Sequence, residues 1–364
     1  MSFKKICWLF GVPLVLFAGI VFYLYAHNLG EISHVDGPWS SFGSLLSGVF
    51  TLVGAGATIG TLLFLSKQNQ DMQKVTQAQL SALNFEHYIN HRRLFMDRLV
   101  ELQATFENRF VFVDGERLYN KIFPNNGPTN LELTVIPEGN EQGENLLGKI
   151  GAHLTKLDQM LEKSVWKERE PLDLASLLMD VYGDLQIRWT DEAFDGDIKF
   201  FGKNTGINIY SIDEFTYRAK TIYNSFLFYT GSPQFKGFEK GNSSYARDAL
   251  MKYFISNHKL REAIEAIKII PSLEIMESLL FLTESLRKPD HDWILSNTFR
   301  TLESTFASRE SVIKLKDDSF VSKLVKIGRS ECSTALSNTD RNDKNYSLLI
   351  RCDSDLASLL SRHR

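Results

Sequence analysis

Apolar positions fall into two unbroken runs near the start of the chain and into short periodic groups after that. The first run is Ile6–Tyr25, and the second, Phe42–Leu65, carries no charged residue. At about 1.5 Å per residue each is long enough for a helix crossing a hydrocarbon core of about 30 Å. The second run passes without a proline into a segment rich in Gln, Lys, Leu and Ala, all good helix formers. One helix is therefore expected to leave the membrane as a stalk reaching Phe110. This predicts a membrane hairpin over 1–65 (spans 6–25 and 42–65), a helical stalk over 66–110 and a mainly helical domain over 111–364. The fold class is mainly α, with the last part a bundle or an irregular solenoid.

Apolar spacing in the stalk (Met72, Val75, Leu80, Leu83, Tyr88, Leu94, Phe95, Leu99, Leu102, Phe106) is near-helical without a strict heptad, which favours packing onto a domain. From Val111 to Gly143 the pattern breaks, with turn chemistry in KIFPNNGPTN and alternation suited to one short strand in LELTVIP. Helices are expected over 144–165 and 172–189, separated by an Asp-, Gly- and Lys-rich loop from one starting at Ser211. There Ser211-Ile-Asp-Glu214 reads as a capping box. Further helices are expected over 243–256, 259–270, 273–287, 292–308, 319–336 and 346–363.

Charge orients the hairpin. Lys4 and Lys5 precede the first run, Lys67 and Lys74 follow the second, and the connection Ala26–Trp39 has Glu31 and Asp36 but no Lys or Arg. The positive-inside rule places both termini in the cytosol and His27–Trp39 outside. No small-x-small site follows the first run, so it reads as a retained anchor and not a cleaved signal. Over 364 residues the net charge is −3, which argues against a broad basic surface for nucleic acid. Three cysteines, Cys7, Cys332 and Cys352, with no C-x-x-C, fit free thiols in a reducing compartment.

Within the second span, Ser40, Ser44, Ser47, Gly48, Thr51, Ala55 and Thr58 share one stripe at about 100° per residue. Gly56 and Gly60 form a G-x-x-x-G pair on nearly the opposite side. Small faces let membrane helices approach closely, so Ser44, Gly48, Thr51, Gly56, Thr58 and Gly60 are the candidate packing or pore residues. One face would meet the first span and the other a second copy; the plainer alternative is that Gly and Ser are common in membrane helices.

Candidate chemistry beyond the spans is sparse. His87 and His91 are four apart, yet there is no H-E-x-x-H and no evident third ligand, so polar packing is the better account. FGKNTG lacks the G-x-x-x-x-G-K-[ST] phosphate loop. Aromatic residues around 200–238 mix with Lys199, Lys203, Arg218 and Lys220, the candidate partner surface; core packing with a solvated basic face competes with that reading. No catalytic triad signature, nucleotide fingerprint, cofactor motif or metal motif is present, and an enzyme is not expected.

Two spans, the second introduced by Trp39, Phe42, Gly43 and Gly48, lead to a Gln-rich exit (Gln68, Gln70) and then to Phe85, Glu86, His91 and Arg92. Over about the first 110 residues this resembles two-transmembrane effectors of bacterial antiphage systems, of the retron and abortive-infection type. The resemblance implies an oligomeric inner-membrane toxin, held inactive by a partner such as a reverse transcriptase with its RNA–DNA hybrid, that disrupts the membrane and arrests growth when released. The alternatives are a membrane-tethered sensor or scaffold and a tethered nuclease.

Overall fold

A computed structural model of the chain describes residues 3–29, 36–137, 145–238, 243–257, 263–286 and 293–362. Contacts divide it into two units, Met1–Glu86 and His87–Arg364. The first contains α1 (Phe3–Leu29) and most of α2 (Asp36–Thr105). Both helices are long and apolar enough to cross a membrane. Residues 30–35 of the expected external connection lie outside the described residues. Pro13 is accommodated within α1.

α2 is 70 residues long, about 105 Å of continuous helix. Positions 61–87 are exposed throughout, including Met72, Val75, Leu80 and Leu83. The expected packing of the stalk onto a domain thus begins at Tyr88, and the division between the two units falls inside α2. Beyond it, Phe95, Leu99 and Leu102 are buried at helical spacing and belong to the core of the second unit. A core helix must present one apolar stripe, and only this end of α2 has one that is covered.

The second unit continues through β1 (Phe110–Phe112), α3 (Gly115–Ile122), α4 (Leu146–Leu161), α5 (Glu170–Asp184), β2 (Ile187–Trp189), β3 (Asp197–Phe200), β4 (Lys203–Asn208) and α6 (Ile212–Tyr229). Then come α7 (Ser244–Asn257), β5 (Ile264–Ala266), α8 (Leu273–Ser285), α9 (Ser296–Thr305), α10 (Arg309–Val312), a 3-10 turn, α11 (Asp318–Asn338) and α12 (Lys344–Arg362). One hydrophobic core runs from Phe95 to Leu359. The mainly helical expectation holds, with two small antiparallel sheets added: β1 against β2, with Phe110 opposite Trp189, and β4-β3-β5.

Four local expectations are corrected. LELTVIP forms no strand; Val135 instead donates its N–H to Thr230 O, and Ser232 Oγ donates to Val135 O. The supposed loop after 189 is largely a hairpin whose two turn residues, Phe201 and Gly202, both have positive φ (47° and 75°), the hand that tight hairpins require. Within the expected helix 259–270, residues 264–266 are strand β5, because three alternating residues complete an edge on β3; residues 258–262 lie outside the described residues. The capping box is absent as hydrogen bonds: Ser211 sits at the N-cap of α6, but its hydroxyl makes no cap bond. The hydroxyl accepts the N–H of Arg309 at 2.9 Å instead.

Candidate functional site

In the first unit, half-buried positions on α2 are Pro38, Phe42, Leu46, Val49, Val53, Gly56 and Gly60, spaced by four and three. On α1 they include Ala18, Val21 and Tyr25. At one end of these lines the two helices touch: Phe42 lies 4.5 Å from the Tyr25 ring and 6.0 Å from Phe22, and Tyr25 donates its hydroxyl to Pro38 O at 3.3 Å. Gly56 and Gly60 lie on the same half-buried line of α2 as Phe42. A Cβ at Gly56 or Gly60 would meet nothing within 4 Å among the described residues, so no contact within the chain requires glycine there.

The other stripe is left uncovered. Ser40, Ser44, Ser47, Gly48, Thr51, Ala55 and Thr58 are all exposed. Ser44 donates to Ser40 O (3.0 Å), Thr51 to Ser47 O (2.8 Å) and Thr58 to Gly54 O (2.9 Å). Each hydroxyl hydrogen is thus used by its own helix, which lowers the cost of placing it in an apolar medium and leaves only acceptor lone pairs facing outward. Ser44, Thr51 and Thr58 repeat every seven residues, so they form a nearly straight line of such acceptors along the helix.

In the second unit, the four residues expected on one partner surface have different roles. Lys203 is exposed; Lys199 is half-buried, 3.6 Å from Glu265. Lys220 is half-buried and donates to Gly237 O at 2.7 Å, fastening a loop. Arg218 is the correction. It is 4% exposed, its guanidinium carbon stands 4.5 Å from the Trp189 ring centre, and Nη2 donates to Gly206 O at 2.8 Å. Gly206 permits this approach: its φ is +65°, and a Cβ there would come within 2.1 Å of the Trp189 ring. Sequence reasoning counts Arg as a surface cation; here it lies on an indole inside the core. Burial brings its pKa down to about 10, Glu214 opposes that, and the charges of Arg309 and Arg109 add to it.

Two buried polar clusters were not expected. Asp195 accepts the N–H groups of Ile269 (2.5 Å) and Ile270 (2.8 Å), while Asp197 accepts Phe194 N and the side-chain amides of Asn204 and Asn208, all at 2.9–3.0 Å. Glu277, wholly buried on α8, takes Lys268 Nζ at 2.7 Å and Tyr210 OH at 2.6 Å. His91 is half-buried at the start of the second unit, with Nδ1 2.9 Å from Tyr119 OH, and burial lowers its pKa. Among the described residues no group of three or more His, Cys, Asp or Glu side chains is arranged to hold a metal. Cys332 and Cys352 are free and buried, and burial pushes each thiol up to about 12. Comparison with known proteins found no matching family model, no similar curated protein and no similar solved structure.

Proposed function

We propose that this chain is an inner-membrane effector of a bacterial antiphage system, of the retron or abortive-infection type, restrained by a partner and toxic through its membrane helices when released. The observation that carries the reading is the asymmetry of α2. One line of it is half-buried and meets α1 at Phe42, and the opposite line of Ser, Thr, Gly and Ala is exposed, with the hydroxyl hydrogens of Ser44, Thr51 and Thr58 already bonded within the helix. Such a face can insert into a bilayer alone and can later pack against the same face of another copy, where small residues allow close approach and the outward lone pairs accept water or cations. Both termini are assigned to the cytosol, so the second unit is the part a cytosolic reverse transcriptase–nucleic acid complex would hold.

The test is expression of the full chain without its partner, with growth, membrane potential and crosslinked oligomers followed together. Thr51→Leu keeps the span apolar and should reduce dye or ion passage more than assembly. Gly60→Leu adds bulk on the half-buried line, at a position where a Cβ meets nothing within 4 Å among the described residues, so a loss of crosslinked oligomers in that variant at equal membrane level would put this line, and not the hydroxyl stripe, between copies. Both variants killing like wild type at equal membrane levels would remove the toxic-helix reading and leave the tethered scaffold.

A further inference from the structure

In the second unit, away from the membrane helices, Arg109 and Arg309 converge on one carboxylate without closing on it. Asp191 Oδ2 is 3.9 Å from Arg109 Nε and 4.0 Å from Arg309 Nη2, beyond hydrogen-bond reach of either. The other oxygen of Asp191 accepts the N–H of Glu192 at 2.9 Å. Arg309 is the unusual member. It is 6% exposed and its guanidinium carbon lies 3.7 Å from the Phe194 ring centre. Its nitrogens are not among the fully buried, unpartnered atoms of the described residues, so with Asp191 no nearer than 4.0 Å they stay within reach of solvent.

The surroundings leave Arg309 without a better protein partner. Arg218, whose Nε has no hydrogen-bond partner, adds a third cation close enough for its charge to be felt. Asp197 has committed its oxygens to Phe194, Asn204 and Asn208. Glu107 is largely exposed and accepts both Nε (3.0 Å) and Nη2 (2.6 Å) of Arg109, a contact that an entering anion must share or displace. Glu214, also exposed, forms no ion pair with Arg218 within 4 Å. The cluster therefore opens to solvent through Arg109 and Asp191, both partly exposed, and ends inward at a nearly buried Arg309.

We propose that Arg109 and Arg309, backed by Arg218, form a receptor for the phosphate group of a small ligand, with Asp191 occupying the position weakly in its absence. A phosphate offers several oxygens to two planar forks at once, replacing ion pairs of about 4 Å by charge-assisted hydrogen bonds of about 2.8 Å. Asp191, on the partly exposed rim, turns outward as the anion enters.

The experiment is calorimetric titration of the full chain in detergent with inorganic phosphate and with ATP, each at fixed ionic strength set by chloride. Binding of both with similar affinity identifies a site for the free anion; binding of ATP alone identifies a nucleotide site. Either result, accompanied by a loss of about tenfold or more in Arg309→Gln, supports the receptor. Arg109→Gln, at a partly exposed position that does not threaten folding, should also weaken whichever probe binds. Asp191→Asn should bind at least as tightly as wild type, because a competing carboxylate is gone. The proposal is overturned if neither probe binds wild type, if Arg109→Gln and Arg309→Gln bind unchanged, or if Asp191→Asn binds more weakly.

Discussion

Tyr210 donates its hydroxyl to Glu277 across 67 positions of sequence, at 2.6 Å, inside the core of the second unit. Lys268 reaches the same carboxylate at 2.7 Å. Burial raises the Glu277 pKa against the opposing pull of Lys268 and Tyr210, and burial also lifts Tyr210 well above its ordinary value. Glu277→Ala leaves the Tyr210 hydroxyl without its acceptor and Lys268 with only Glu274, 3.6 Å away, and should cost about 3 kcal/mol in denaturant unfolding of the chain. Replacing Lys268 and Glu277 together by Met should cost less than Glu277→Ala alone, since no buried charge is then stranded. Equal losses would show that the pair is not energetically coupled.

Ser211 tests whether its hydroxyl serves α6 or the tertiary fold. At an ordinary N-cap, Gly replaces Ser at a cost of only a few tenths of a kcal/mol. Here the hydroxyl accepts Arg309 N–H, so Ser211→Gly and Ser211→Ala both leave a buried donor unmet, at about 1–3 kcal/mol each. A nearly neutral Ser211→Gly in thermal unfolding would return the residue to plain capping.

Arg218 and Lys203 were grouped by sequence and should separate on mutation. Lys203→Glu, at an exposed position, should change stability by no more than about 0.5 kcal/mol. Arg218→Glu puts an unpaired carboxylate against Trp189 and should unfold the second unit, seen as loss of near-ultraviolet circular dichroism. A folded Arg218→Glu protein would mean the stacked guanidinium is dispensable.

His91 sets a pH dependence with a definite sign. Burial lowers its pKa in the folded chain, so the unfolded chain binds the proton more readily. The stability due to neutral His91 is complete above its unfolded pKa, about 6.5, and is lost as pH falls below that value toward the folded one. His91→Gln should flatten the fall in unfolding free energy on acidification from neutral pH. An unchanged slope would assign it to other groups.

The two apolar runs, the continuity of α2 and the mainly helical character of the rest were readable in order along the chain. Each depends on interactions among near neighbours: an uncharged run long enough to span, a helix period, and good helix formers such as those from Lys67 to Leu102. The small strands were not readable. β5 is three residues long and exists because β3 offers an open edge, while Phe201–Gly202 makes a hairpin only when Asp197–Phe200 and Lys203–Asn208 pair. Nor did residue type reveal where charge would be buried. Arg218 is a surface cation by composition, and the apposition of Trp189 and Gly206 makes it a core residue.

The faces of the membrane helix divide the same way. Periodicity alone separates Ser44, Thr51 and Thr58 from Gly56 and Gly60, because 100° per residue is a property of the helix. Which line is half-buried is decided by tertiary contact: Phe42 packs on Phe22 and Tyr25 of α1, and Leu46, Val49, Val53 and both glycines share its line. Sequence determines what lies on each face of a helix, because that is local geometry. Only the fold decides which face is covered, because burial depends on residues far away in the chain, as with Arg109, Asp191 and Arg309.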